Sequence, residues 1–328
     1  MKKKIFLSIM LVFLLNIIHA RANDNNFYQI HTKRISERVL ILYGHDNSSY
    51  FSNNSNIVAV KTQKGLVVID THFLPEMVAE SKKEIESIFK RNDYIYVINT
   101  HEHLEHLAGN YAYPEAAIVA HENIVTGVSK SIPQFKDWYR SAVAFYENKL
   151  KDMKKSSNMY RIITNNLALI KKNQNYCENE FQFIPPSISF SDRLLLDCGD
   201  ITLKLIYFGQ GHSSSDILIY IPEEKLLAIG SACVLEIPPK IFPNPDNNYE
   251  RWISVLTELL DQEEGIEHII TGHVDYKYMK KEDLVFIRDY FKELYFVWSV
   301  PEYYPIFNCK DLMLCARLIT TDFYCYVF

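Results

Sequence analysis

The stretch Thr100-His101-Glu102-His103-Leu104-Glu105-His106 follows directly on Asp93–Asn99, a β-rich run that reads as a strand. Three histidines and Glu105 therefore leave one strand end together. A solvated histidine-rich loop would fall at random relative to strand ends, so the placement favours a metal site. Neutral imidazole donates a nitrogen lone pair well at physiological pH and is a usual zinc ligand. His101 and His103, two apart on an extended turn, can point to one side and grip one ion. Glu105 and His106 open the next helix and can face a second ion nearby.

Outward from this stretch, Arg38–Tyr43, Asn56–Thr62 and Leu66–Thr71 are short β-rich runs separated by turn-like residues. Pro75 opens a helix to about Lys90, with Met77, Val78, Ile85 and Ile88 spaced for one apolar face. A second β-rich block runs from Ser187 to Gly230, followed by a strand at Glu267–Thr271 and a helix from Lys280 to about Val297. Two strand-and-helix halves predict an α/β fold with two sheets face to face and helices outside. Residues 123–186 interrupt this pattern. There Phe135, Trp138, Tyr139, Ala142, Val143 and Tyr146 recur at helical spacing, as do Met159, Ile162, Ile163, Ala168 and Ile170. They predict two inserted helices, either a packing elaboration or a lid carrying aromatics over a site.

Of the 328 residues, 48% are hydrophobic and 23% charged, a globular balance that excludes a disordered or collagen-like chain. Lys2-Lys3-Lys4, the nearly unbroken apolar run Ile5–Ile18 and Ala20-Arg21-Ala22 follow the order of a secretory signal peptide. Residues 1–22 are expected to be removed and the protein exported, to a periplasm or the medium. The apolar run is short for a span and nothing downstream reaches 18 apolar residues, so no stable membrane span is expected after cleavage. Loss of Lys2, Lys3, Lys4 and Arg21 takes the formal charge from -5 to -9. That balance argues against nucleic acid as a partner, because phosphate binding rests mainly on Lys and Arg, and leaves a small-molecule substrate. Export would permit disulfides among Cys177, Cys198, Cys233, Cys309, Cys315 and Cys325, whose 15 pairings sequence leaves open.

The order of these motifs resembles the metallo-β-lactamase superfamily from about Arg38 to His273. The family's His-x-His-x-Asp-His motif stands here as His101, His103, Glu105 and His106; its Gly-His with a following Asp as Gly211-His212 and Asp216; its late Gly-His as Gly272-His273. Asp70, in VVIDTH, matches the family's structural aspartate. The resemblance implies an αββα four-layer sandwich over residues 23–300 with a helical insertion, leaving 301–328 as a tail of no assigned role. It also implies two Zn2+ ions, the first on His101, His103 and His212 and the second on Glu105, His106 and His273. A hydroxide between the ions would attack a substrate carbonyl, with Glu105 as the catalytic carboxylate that orients it. Asp70 and Asp216 would orient ligand imidazoles or the loops that carry them.

The chain departs from the family at two positions. Glu105 replaces the usual Asp and is longer by one methylene. Ser231 occupies a position where relatives carry a metal-bridging Asp or a Cys, as in the serine-bearing subclass of metallo-β-lactamases; Cys233, two residues on, is the alternative ligand. A β-lactam amide is therefore one substrate class, beside thioesters, lactones and phosphoesters; a metal-binding protein with weak or no turnover is the alternative from another class. Of the other histidines, His121 is expected as a helix cap, His268 as a hydrogen-bonded core residue, and His72 as a neighbour of the site.

Overall fold

The computed structural model describes residues 29–45, 55–232, 248–262, 265–273 and 279–299. The expected signal peptide, the 301–328 tail and Cys233, Cys309, Cys315 and Cys325 lie outside them. Among the described residues twelve strands form two sheets. The first sheet has the order β1 (Gln29–Arg34), β2 (Val39–His45), β3 (Ile57–Lys61), β4 (Leu66–Ile69), β5 (Tyr94–Ile98), β6 (Ala117–His121) and β7 (Ile188–Phe190). It is antiparallel from β1 to β4 and parallel from β4 to β7. The second comprises β8 (Arg193–Asp197), β9 (Thr202–Tyr207), β10 (Ile217–Ile221), β11 (Leu226–Gly230) and β12 (His268–Thr271), in reverse spatial order and antiparallel except for the β11–β12 pair.

Alternation along the strands sorts side chains into layers. Val39, Ile41, Val58, Val60, Val67 and Ile69 of the first sheet meet Leu203, Leu205, Ile217, Ile219, Leu226 and Ala228 of the second in one apolar core. Their neighbours Leu40, Leu42, Ile57, Ala59, Leu66 and Val68 turn the other way, onto Ile85 and Phe89 of α1 (Pro75–Phe89). On the far side Leu218, Tyr220, Leu227 and Ile229 pack under α5 (Tyr249–Gln262) and α6 (Lys281–Ser299) through Trp252, Leu256, Leu284 and Phe291. The molecule is thus the expected αββα sandwich. Strands buried on both faces, such as β4 and β10, read as continuous apolar runs for this reason.

The insertion forms two helices, α3 (Ile124–Lys151) and α4 (Asn158–Asn175). Val128, Tyr139, Tyr146, Ile163 and Ile170 join one cluster with Phe73 and Met77 and with Leu104 and Leu107 of the short helix α2 (Leu104–Leu107). It therefore packs around the helix that carries Glu105 and His106. Strand β1 has no counterpart in the sequence expectations: QIHTKR contains one large aliphatic residue, Ile30, and is ordered as an edge by pairing with β2. His268 departs from its expected place, because it begins β12 and is only half-buried rather than core. Cys177 and Cys198 are buried and unpaired. Among the described residues no helix is long and apolar enough to cross a membrane.

Leu203 is fully buried between the sheets, whereas Leu195 on the adjoining strand is 67% exposed. Urea unfolding should show Leu203→Ala losing about 2–5 kcal/mol from the transfer and cavity terms. Leu195→Ala should stay within about 0.5 kcal/mol of the parent.

Candidate metal centre

The site forms where β4, β5, β11 and β12 end and β10 begins. Backbone bonds stitch these ends together: across the two sheets Ile217 N–H donates to Thr100 O at 2.9 Å and Asn56 N–H to Gly272 O at 2.7 Å, and within the second sheet Gly272 N–H donates to Gly230 O at 2.6 Å. Ser55 Oγ lies 2.6 Å from Thr71 O and 2.7 Å from Glu105 O, and Asn56 Nδ2 donates to Thr271 O at 2.9 Å. Ser55 and Asn56 therefore clasp the backbone on both sides of the Glu105–His273 half. No sequence motif marked them, since neither carries a metal-ligand signal.

Strand β4 stops at Ile69 because Asp70 adopts φ 61°, a left-handed conformation that Asp tolerates better than most side chains. Its Oδ1 accepts the Thr100 N–H at 2.8 Å, and its Oδ2 lies 2.8 Å from both Thr100 Oγ1 and His106 Nδ1. A carboxylate only accepts, so His106 donates its Nδ1–H and Thr100 donates its hydroxyl proton. Thr100 Oγ1 is left as acceptor toward His101 Nδ1, 3.0 Å away. One carboxylate thereby places the proton on Nδ1 of two histidines and turns each Nε2 lone pair inward.

His101, His103 and His212 form one group whose ligand atoms all lie within 4.8 Å of one another; Glu105, His106 and His273 form a second on the same criterion. The structure thus brings together all six residues singled out in the sequence. His103 Nδ1 is 3.2 Å from His212 Nε2, and His106 Nε2 is 3.1 Å from His273 Nε2. Nitrogens sharing a tetrahedral zinc at about 2.0–2.1 Å stand roughly 3.3 Å apart, so both spacings suit such an ion. Glu105 Oε1 lies between the groups, 3.8 Å from His273 Nε2 and 3.9 Å from His103 Nδ1. His101 Nε2 and Glu105 Oε2 are buried and without hydrogen-bond partners. Unsatisfied buried polar atoms are costly, and a cation held in each group would satisfy them.

Electrostatics agrees with the donor set. Burial, reinforced by the neighbouring histidines, keeps His101 neutral by lowering its pKa far below the ordinary imidazole value. Burial works against ionisation of Glu105, but His103, His106 and His273 outweigh it and hold the carboxyl below its usual range. At His106 burial is likewise overcome, here by Asp70 and Glu105, and the pKa rises. The centre attracts positive charge at His106 and retains a carboxylate at Glu105.

The remaining residues fall around this centre. Ser231 Oγ is 3.1 Å from His106 Nε2, which sets it against the Glu105–His106–His273 group. Asp216 makes no imidazole bond; it accepts from Ser213 N at 2.8 Å and Ser213 Oγ at 2.6 Å, closing the loop that carries His212, and burial pushes its carboxyl up to about 7. Gly211 permits close approach to Trp252, since a Cβ there would stand 2.3 Å from the indole. His72 is wholly buried with neither ring nitrogen hydrogen-bonded, and burial lowers its pKa to about 3. His121 is not the helix cap expected: Asn123 is the N-cap of α3, and His121 ends β6, its Nδ1 accepting the Asn123 N–H at 3.2 Å and its Nε2 lying 2.9 Å from Ser191 O. From the insertion, Phe135 meets the His103 ring edge-on with centroids 5.7 Å apart, so an aromatic of α3 does reach the site.

Comparison with known proteins agrees with this architecture. Two curated proteins named metallo-β-lactamase type 2, from Bacillus cereus and Bacillus sp. (strain 170), are each 23% identical over 247 residues. The alignments span 74% of this chain and 77% and 76% of those proteins. The solved metallo-β-lactamase from Pontibacter korlensis shares the fold with a TM-score of 0.52 at 18% identity, over 80% of this chain and 99% of that one. The sequence model of the metallo-beta-lactamase superfamily matches residues 52–293, about three quarters of the length. The chain belongs to the metallo-β-lactamase superfamily.

Proposed function

We propose that the protein is an exported zinc-dependent hydrolase that cleaves an acyl bond, with β-lactam amides the first substrate class to test. The observation that carries this reading is the pair of three-residue groups meeting at Glu105, with Asp70 setting the tautomers of a histidine in each. His101, His103 and His212 would hold one Zn2+, and Glu105, His106 and His273 the other. Zinc bound there supplies Lewis acidity, which brings the pKa of water toward neutrality and polarises a carbonyl oxygen. The chain's own contributions follow from position. Glu105, buried between the groups, orients the attacking water and can take its proton. Asp70 keeps two imidazoles aimed inward. Phe135 presents an apolar wall beside His103 for a substituent of the substrate.

Support for the β-lactam class is the name of both Bacillus relatives, metallo-β-lactamase type 2; at 23% identity, thioester, lactone and phosphoester substrates stay beside it. Export rests on the N-terminal sequence, and Edman sequencing of protein recovered outside the cytoplasm should begin at Asn23. A second reading, a metal-binding protein with little turnover, draws on Glu105 and Ser231, both of which alter the second-metal half.

Elemental analysis of purified protein should give close to two zinc atoms per chain, and zinc-free protein after reconstitution would overturn the proposal. His103→Ala should reduce hydrolysis to background in a substrate panel, while unchanged turnover would remove this residue from the site. Asp70→Asn, which puts an amide NH2 or a weaker acceptor against His106, should weaken zinc binding about 10–100-fold in a chelator competition. Glu105→Asp separates the two readings: a large gain in hydrolysis identifies a hydrolase detuned by the longer side chain. Absence of a gain across lactam, thioester and ester panels supports the binding role.

A further inference from the structure

We propose that Glu102, which is not among the metal-ligand groups, is the positioning carboxylate of the three-histidine site: it anchors the loop bearing His212 and supplies the negative charge that His101, His103 and His212 lack. The inference rests on the zinc reading above. Glu102 stands between His101 and His103 in sequence, yet it is only 7% exposed. Its Oε1 accepts Ser214 N–H at 2.8 Å and the Ser214 hydroxyl at 2.9 Å, and its Oε2 accepts the Ser215 hydroxyl. These serines follow His212 by two and three residues. The carboxylate thus ties the turn that carries two ligands of the group to the loop that carries the third.

Two further elements close on the same contact. Ser214 O accepts from Asn123 Nδ2 at 3.0 Å and from Tyr207 Oη at 3.2 Å, so the loop is held from its other side. Helix α3 backs the carboxylate at Gly127, where a Cβ would stand 2.6 Å from Glu102 Cδ. Any larger residue there would displace Glu102.

Charge distinguishes this role from ordinary packing. All three partners of Glu102 are donors, so the carboxylate is satisfied without a proton. Among the described residues no lysine or arginine forms a salt bridge with it. A buried charge without a counterion is expensive. The neighbouring three-histidine group contains no carboxylate and would hold a dication. Glu102 and that ion would therefore compensate each other, while Glu105 serves the second group.

The test is a chelator-competition titration with zinc alone on purified parent, Glu102→Gln, Glu102→Ala and His212→Ala proteins, each checked for folding by circular dichroism. Glu102→Gln preserves the side-chain shape, removes the charge and turns one of the two acceptor oxygens into a donor. It should weaken the binding of one of the two ions about 10-fold and leave the other unchanged, with Glu102→Ala weaker still, toward 100-fold. In a His212→Ala background the Glu102→Gln change should have no further effect, because the site it serves is already lost. Should Glu102→Ala fail to fold, Ser215→Ala removes one of the three donors and should weaken the same ion more mildly. Parent-like zinc affinity in folded Glu102→Gln would overturn this proposal and leave the zinc reading standing. A parent protein that takes up no zinc would overturn both.

Discussion

The carboxylate of Asp70 is the constraint on which the site depends. It leaves β4 in a left-handed conformation that L-residues adopt at a cost of roughly 1–3 kcal/mol, and that turn carries the side chain across to the end of β5. There three hydrogen bonds settle two matters together. They fix the backbone where the histidine stretch begins, and they direct the protons of His101 and His106 away from the centre. A ligand set with the right residues but unspecified tautomers would have to reorganise before it could hold an ion. Here the reorganisation is done by folding.

Around this carboxylate the sandwich acts as a rigid frame. The core between the sheets is built from β-branched and leucine side chains that alternate along each strand, so strand ends cannot slip by one residue without reversing the inward and outward sets. Loops rising from those ends inherit that precision. Links such as Ile217 to Thr100 and Asn56 to Gly272 then join loops of one sheet to loops of the other. The ligands come from three separate segments, yet their donor atoms converge to hydrogen-bonding distances, which is the arrangement expected of a preorganised centre.

The inserted helices belong to this frame as well as to the surface. Most of their apolar side chains pack with Phe73, Met77 and α2, which steadies the helix carrying Glu105 and His106. At two points α3 also comes close to the centre. Phe135 lies edge-on to His103, and Gly127 leaves just enough room for Glu102. The sequence left packing and a lid as alternatives for this segment; the structure shows packing for most of its length and an aromatic contact at one point.

Sequence by itself determined the parts governed by local chemistry. β-rich runs bounded by turn-like residues identified most of the strands, helical spacing identified α1 and both inserted helices, and three histidine motifs identified the two groups that the fold brings together. These signals are legible because a strand, a helix face and an imidazole donor each depend on neighbouring residues or on residue type alone. Tertiary structure decided what depends on distant partners. Ser55 and Asn56 gained their roles only when β3 came to lie beside the Glu105 and Gly272 backbones. Strand β1 formed on an edge that its own polar sequence does not announce, and His268 took a strand end rather than the core. Glu102 sits inside the very stretch that disclosed the fold, yet its partners are more than a hundred residues away at Ser214 and Ser215. A hydrogen bond across that separation leaves no periodicity in the chain, so only the packed structure could show it.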